Sequence, residues 1–155
     1  YRMYPVQLNL KGKHVVIIGG GKIAWRKFSK LKSEPCSIDV IAREFHEHFD
    51  MIQPTKHIRL IQADYQREHI AHADLIIIAT NQPETNDRVA QDALPSQWVN
   101  HTGDRKQSNF YNTLDIEHNG LTISISSHGQ DIQRTQHYAV KIKAWLDSTK
   151  EDMHE

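Results

Sequence analysis

The residues with the sharpest chemical promise stand in a row: Gly19-Gly20-Gly21-Lys22-Ile23-Ala24. They follow a G-x-G-x-x-A pattern, in which the first glycine allows a tight turn, Gly21 lets a pyrophosphate approach the backbone, and Ala24 lets helix and strand pack closely. A helix starting there adds free N–H groups and the positive end of its dipole. The implied chemistry is dinucleotide binding, with Gly19 through Ala24 as the phosphate loop. Outside a strand-turn-helix setting the same triplet is only a flexible turn.

Other candidates follow from that geometry. An acidic ribose ligand is expected about 20 residues further on. Asp39 falls inside the next apolar run, whereas Arg43 and Glu44 follow its end. Arg43 could stack on adenine or meet a 2′-phosphate, Glu44 could hold a 2′-hydroxyl, and a solvated strand end would look the same. NAD and NADP both stay open on these residues. Thr80 and Asn81 follow a later apolar run, where ligands of open α/β sheets gather, and are expected on the nicotinamide side.

Those residues require a parallel sheet to hold them. His14 to Ile18, Ser37 to Ala42, His57 to Ala63, Asp74 to Thr80 and Trp98 to Asn100 read as five strands, separated mostly by stretches of helical pattern. Consecutive apolar residues in the fourth run mark a strand covered on both faces. Helices are expected from Lys22 to about Ser33 and from Pro83 to about Leu94, with a His-rich helical segment from Glu44 to about Gln53 stopped by Pro54. The sheet should end near residue 102.

Beyond residue 110 the period changes. Leu121, Ile123 and Ile125 alternate with Thr122, Ser124 and Ser126, and Asn119-Gly120 precedes them, which is the signal of a type I′ hairpin. A helix is expected from Ile132 to Leu146. The fold class is therefore α/β, a Rossmann-like parallel sheet over residues 1–109, followed by a small α+β segment over 110–155.

Composition narrows the partners. The 155 residues suit one domain with a small appendage, and 19 Lys+Arg balance 19 Asp+Glu. The chain thus lacks the overall basic footprint of a nucleic-acid binder. Cys36 is the only cysteine, which excludes an internal disulfide and a multi-cysteine metal site and fits a reducing cytosol. No apolar run approaches the roughly 20 residues of a membrane helix, and Tyr1-Arg2-Met3-Tyr4-Pro5 is no signal-peptide core, so a cytoplasmic location without a membrane partner is expected. His46-Glu47-His48 suggests a metal, but residues i and i+2 on a helix diverge, so no metal site is expected. Tyr138 and Lys141 lack the i+4 spacing of a Tyr-Lys catalytic pair.

A resemblance to a known family spans nearly the whole chain in collinear order. Leu8-Asn9-Leu10-Lys11-Gly12-Lys13 leading into the glycine loop, then Ala24-Trp25-Arg26-Lys27, Ala79-Thr80-Asn81 with Asn86 and Val89, Val99-Asn100, Asn109-Phe110 and Leu121 through Gly129 are similar to the siroheme synthase family, and within it to precorrin-2 dehydrogenases. The resemblance implies NAD-dependent oxidation of the tetrapyrrole precorrin-2 to sirohydrochlorin, with iron insertion in some members. It also implies a homodimer made through the tail and a helical carboxyl-terminal region, of which only the first helix is read here.

Two departures stand out. The family carries a catalytic aspartate three residues after the asparagine matching Asn100; here that position is Gly103, and Asp104 lies one further. Asp104 is the expected catalytic carboxylate, with His101 and His128 as alternates. After Ser126-Ser127 the family tends to Gly-x-Ser-Pro, whereas here Asp131 is placed to cap the tail helix. Asn100, Arg105, Lys106, Ser126, Ser127 and Arg134 are the expected contacts to the carboxylate-rich macrocycle.

Overall fold

Runs of consecutive apolar residues become strands here because both faces of the sheet are covered. The computed structural model describes residues 2–149. Strands β1 (His14–Ile18), β2 (Ser37–Ala42), β3 (Ile58–Gln62), β4 (Leu75–Ile78) and β5 (Trp98–His101) form one parallel sheet in the order β3-β2-β1-β4-β5. Alternate side chains leave opposite faces. Val15, Ile17, Val40 and Ile77 pack with Ala24 and Phe28 of α1 (Lys22–Leu31), while Val16, Ile18, Ile41 and Ile76 pack with Val89 of α2 (Pro83–Asp92). The result is a doubly wound sheet.

The connections differ from the sequence expectation. The helix expected over 44–53 is only a 3-10 turn, Glu47–Met51, entered through His46, whose Nδ1 accepts from the His48 N–H at 3.2 Å. Phe49 fixes this turn by packing edge-on to Trp25, with ring centres 5.1 Å apart. Off an α-helix, the rings of His46 and His48 do not diverge but stand 4.4 Å apart. A further 3-10 turn, Arg67–Ile70, joins β3 to β4 and buries Ile70.

Both α1 and α2 end two residues before the expected positions. After α1 the chain turns, Glu34 N–H donating to the Leu31 carbonyl at 2.9 Å. After α2 the Leu94 N–H goes to Gln97 Oε1 at 2.8 Å, and Pro95 disfavours helix at the residue before it.

The chain divides into two compact units, one from Val6 to Phe110, the other from Tyr111 onward together with the first residues to Pro5. In the second, β6 (Leu114–His118) and β7 (Leu121–Ile125) pair antiparallel around Asn119 and Gly120, with φ of 48° and 82° as a type I′ turn requires. Helix α3 (Ile132–Ser148) packs on β6 and is capped by Asp131, which accepts from the Arg134 N–H at 2.9 Å. No described helix is long and apolar enough to cross a membrane.

Candidate dinucleotide-binding site

From β1 the chain crosses to β2 on one side; from β4 it crosses to β5 on the other. This reversal opens a crevice at the carboxyl ends of the strands, and here it is a cleft of about 820 Å³. Its floor is Gly19 through Ile23; Ala42 to His46 and Ala63 to Tyr65 form one wall, Ala79 to Gln82 with Thr85 and Arg88 the other.

The three glycines differ in purpose. At Gly19, with φ of 133°, a Cβ would lie 2.3 Å from the Ala79 carbonyl oxygen, so a side chain there would separate β1 from β4. At Gly20 a Cβ would lie 2.3 Å from the Glu44 carbonyl oxygen. At Gly21 a Cβ would meet nothing within 4 Å. That free space lies directly over the start of α1, whose first backbone bond runs from the Trp25 N–H to the Gly21 carbonyl at 2.9 Å. The N–H groups of Lys22, Ile23 and Ala24 therefore precede the helical ladder. An open cradle over a helix amino end fits a pyrophosphate.

Ala24 does not line the cleft. It is fully buried in the core beneath it, so its small size serves the packing of α1 on the sheet. Arg43 lines the cleft but is engaged: its Nε donates to Asp64, which follows β3 as Arg43 follows β2. Asp39 is tied up elsewhere, held by two hydrogen bonds of 2.8 and 2.7 Å from Arg59 and lying 3.3 Å from His14 Nε2. This network makes it a strand-to-strand tie and removes it from consideration as a ribose ligand.

On the other wall, buried Asn86 of α2 clamps the Thr80 turn. Its Nδ2 donates to the Thr80 carbonyl at 3.1 Å, its Oδ1 pairs with the Thr80 hydroxyl, and that hydroxyl accepts the Gln82 N–H at 3.1 Å. Asn81 is left exposed at the rim.

Sequence reasoning missed Asp64, Tyr65 and Arg88 as cleft residues. The Arg88 guanidinium lies 5.4 Å over the Tyr65 ring, and the Tyr65 hydroxyl donates to Asp92 at 2.8 Å. Burial, reinforced by this carboxylate, pushes the phenol well above its ordinary range, so it stays protonated. The signal available for Asp64 and Tyr65 was their place directly after β3, at the same carboxyl edge as the glycine loop.

Asn100, Asp104, Arg105 and Lys106, all in the first unit, do not line the cleft. Asn100 is buried, its Nδ2 donating to the Phe110 carbonyl at 3.0 Å. Asp104 follows β5 and opens a 3-10 turn, Arg105–Gln107, in which its carboxylate accepts the Lys106 N–H at 3.0 Å and Gln107 Nε2 at 2.8 Å. The Gln107 bond first, then the backbone bond, holds this carboxyl below the ordinary aspartate range, so it is ionised at neutral pH. Ser126, Ser127 and Arg134 belong to the second unit. There Ser126 Oγ accepts the His128 N–H at 3.0 Å, Ser127 Oγ accepts the Asp131 N–H at 2.9 Å, and Arg134 lies 5.8 Å over Tyr138.

Sheet order, crevice and glycine cradle together define a dinucleotide-binding domain of the doubly wound class. A family model for NAD(P)-binding domains matches residues 6–113, and the chain belongs to that family. It is 28% identical to a precorrin-2 dehydrogenase of Bacillus subtilis over 94% of this chain and 90% of that protein. It is 30% identical to a siroheme synthase of Neisseria meningitidis over 98% of this chain, but spans only 32% of that longer protein. Among solved structures, one titled SirC, precorrin-2 dehydrogenase, superposes with a TM-score of 0.83 at 25% identity, covering 92% of this chain and 70% of that one.

Proposed function

We propose that this chain is an NAD-dependent precorrin-2 dehydrogenase that oxidises a tetrapyrrole to sirohydrochlorin in siroheme synthesis. The observation that carries the reading is the open cradle over Gly21 at the point where the sheet reverses direction. NAD, when bound, supplies the hydride acceptor. The chain supplies placement: the α1 amino end holds the pyrophosphate, and Asn86 fixes the Thr80 turn on the nicotinamide side. NAD is favoured over NADP because Arg43 is already neutralised by Asp64, with Glu44 adding a further negative charge beside them. Asp104 is the carboxylate assigned to take a proton from the macrocycle; its bonds from Gln107 and the Lys106 amide keep it ionised at neutral pH and lower its basicity, so substrate must displace them for the transfer to occur.

One observation favours a second reading, a nucleotide-binding module without turnover: both Asp104 oxygens already hold internal hydrogen bonds. Anaerobic incubation with precorrin-2 and NAD separates the two. Growth of sirohydrochlorin absorbance with NADH formation is expected; NAD binding by calorimetry with no such growth would establish the silent module instead.

A further inference from the structure

The strongest feature outside the cleft is His101, the last residue of β5, only 6% exposed. Its Nδ1 receives two backbone donors, the Gly103 N–H at 3.1 Å and the Asp104 N–H at 2.9 Å. Two N–H groups converging on one ring nitrogen require a lone pair there, which leaves Nε2 as the ring's donor nitrogen. That Nε2 is sealed from solvent and has no hydrogen-bond partner. Leaving a buried donor unmade is unfavourable, so the ring is oriented by what its other nitrogen gathers.

The main chain of His101 is held as well. Its N–H donates to Ser108 Oγ at 2.8 Å, and its carbonyl accepts the Asp104 N–H at 3.3 Å. The ring lies directly beneath Gly103, where an added Cβ would stand 3.4 Å from Cε1. The segment from His101 to Asp104 is therefore a turn wound on one imidazole, and the residue it presents at its end is Asp104.

We infer that His101 is a positioning residue for the Asp104 carboxylate, its Nδ1 setting the backbone from which that carboxylate projects. The inference rests on the proposed role of Asp104. Gly103 lies inside the turn closed by His101, and Asp104 follows it.

Two substitutions separate the ring's nitrogens. His101→Asn places a carbonyl oxygen near Nδ1 and keeps an acceptor for the two amides; His101→Gln places its polar end near Nε2 and removes that acceptor. With NAD saturating, His101→Gln is expected to lower kcat at least tenfold, with KM and NAD affinity within about twofold of wild type, while His101→Asn stays within about threefold in kcat. Amide spectra should show the Gly103 and Asp104 N–H resonances displaced in His101→Gln and near native in His101→Asn. Long-range proton–nitrogen spectra of the wild-type ring should place the proton on Nε2.

Wild-type kcat in His101→Gln, equal losses in both variants, or a proton on Nδ1 would overturn the inference. Asp104→Asn is measured alongside, with a loss of about 10² expected. If it turns over normally, the role of Asp104 fails and the inference with it, while displaced amides in His101→Gln would show that the His101 ring does close the turn. Should His101→Gln fail to fold, His101→Asn and the wild-type ring spectrum still decide.

Discussion

Gly19, Gly20 and Gly21 are adjacent, yet substitution should separate them cleanly. Alanine at Gly19 or Gly20 forces a Cβ against a backbone oxygen, so thermal unfolding should show a destabilised fold. Valine at Gly21 enters free space, so the fold should survive while NAD affinity falls at least tenfold, about 1.4 kcal/mol. Calorimetry on a folded Gly21→Val variant with unchanged affinity would remove the pyrophosphate from that cradle. The Arg43–Asp64 pair yields a second prediction. Asp64→Asn leaves the Arg43 guanidinium without its carboxylate, so NADP affinity should rise by about tenfold while NAD affinity changes little. An unaltered ratio of the two affinities would show that Arg43 does not face the ribose.

At the scale of elements, capping is the clearest lever. Asp131 accepts the Arg134 N–H at the start of α3, so Asp131→Ala should cost about 1 kcal/mol of stability, read as a lowered denaturant midpoint with an unchanged slope. The sequence already placed that cap, as it placed all five parallel strands and the hairpin, because each is written in neighbouring residues. The 3-10 turn at Glu47–Met51 was not legible, since its form depends on Phe49 meeting Trp25 and on the His46 ring bonding the His48 amide. The cleft was half legible for the same reason. A loop such as Gly19 to Ala24 carries its own pattern, but Asp64 reveals itself only when β3 lies beside β2, and Asn86 only when α2 folds back on the Thr80 turn. Asp39 illustrates the reverse case: a carboxylate at a suggestive distance from the glycine loop, whose partner Arg59 sits opposite it on the next strand.

For the whole molecule, the second unit carries an unusual share of exposed apolar side chains. Ile132, Val140 and Trp145 on α3 are 68%, 70% and 64% exposed, and Leu121 on β7 is 65% exposed. A two-stranded hairpin with one helix is marginal by itself in water. We propose that two copies pair through this segment, so that light scattering at micromolar concentration should report a particle of twice 18.0 kDa. Ile123→Asp should shift it towards monomer or aggregate by burying an unpaired charge; a wild-type chain that stays monomeric at high concentration would refute the pairing.

The sheet's two edges are unequal. The outer side of β5 takes hydrogen bonds with Ser108 and Asn109, whereas β3 is half exposed, pairs with β2 on its inner side and is tethered at both ends through single 3-10 turns. Amide exchange should therefore proceed from β3 through local opening, well before β1 and β4 exchange by global unfolding. Asp64 and Tyr65 follow the end of this strand, so part of one wall of the nucleotide cleft belongs to the strand expected to open first. A dinucleotide that binds only while β3 is docked raises the free energy of that opening, by about 2.7 kcal/mol at a hundredfold excess over its Kd. Cofactor supply thus becomes a determinant of how long this edge survives proteolysis and exchange, independently of any turnover the site performs.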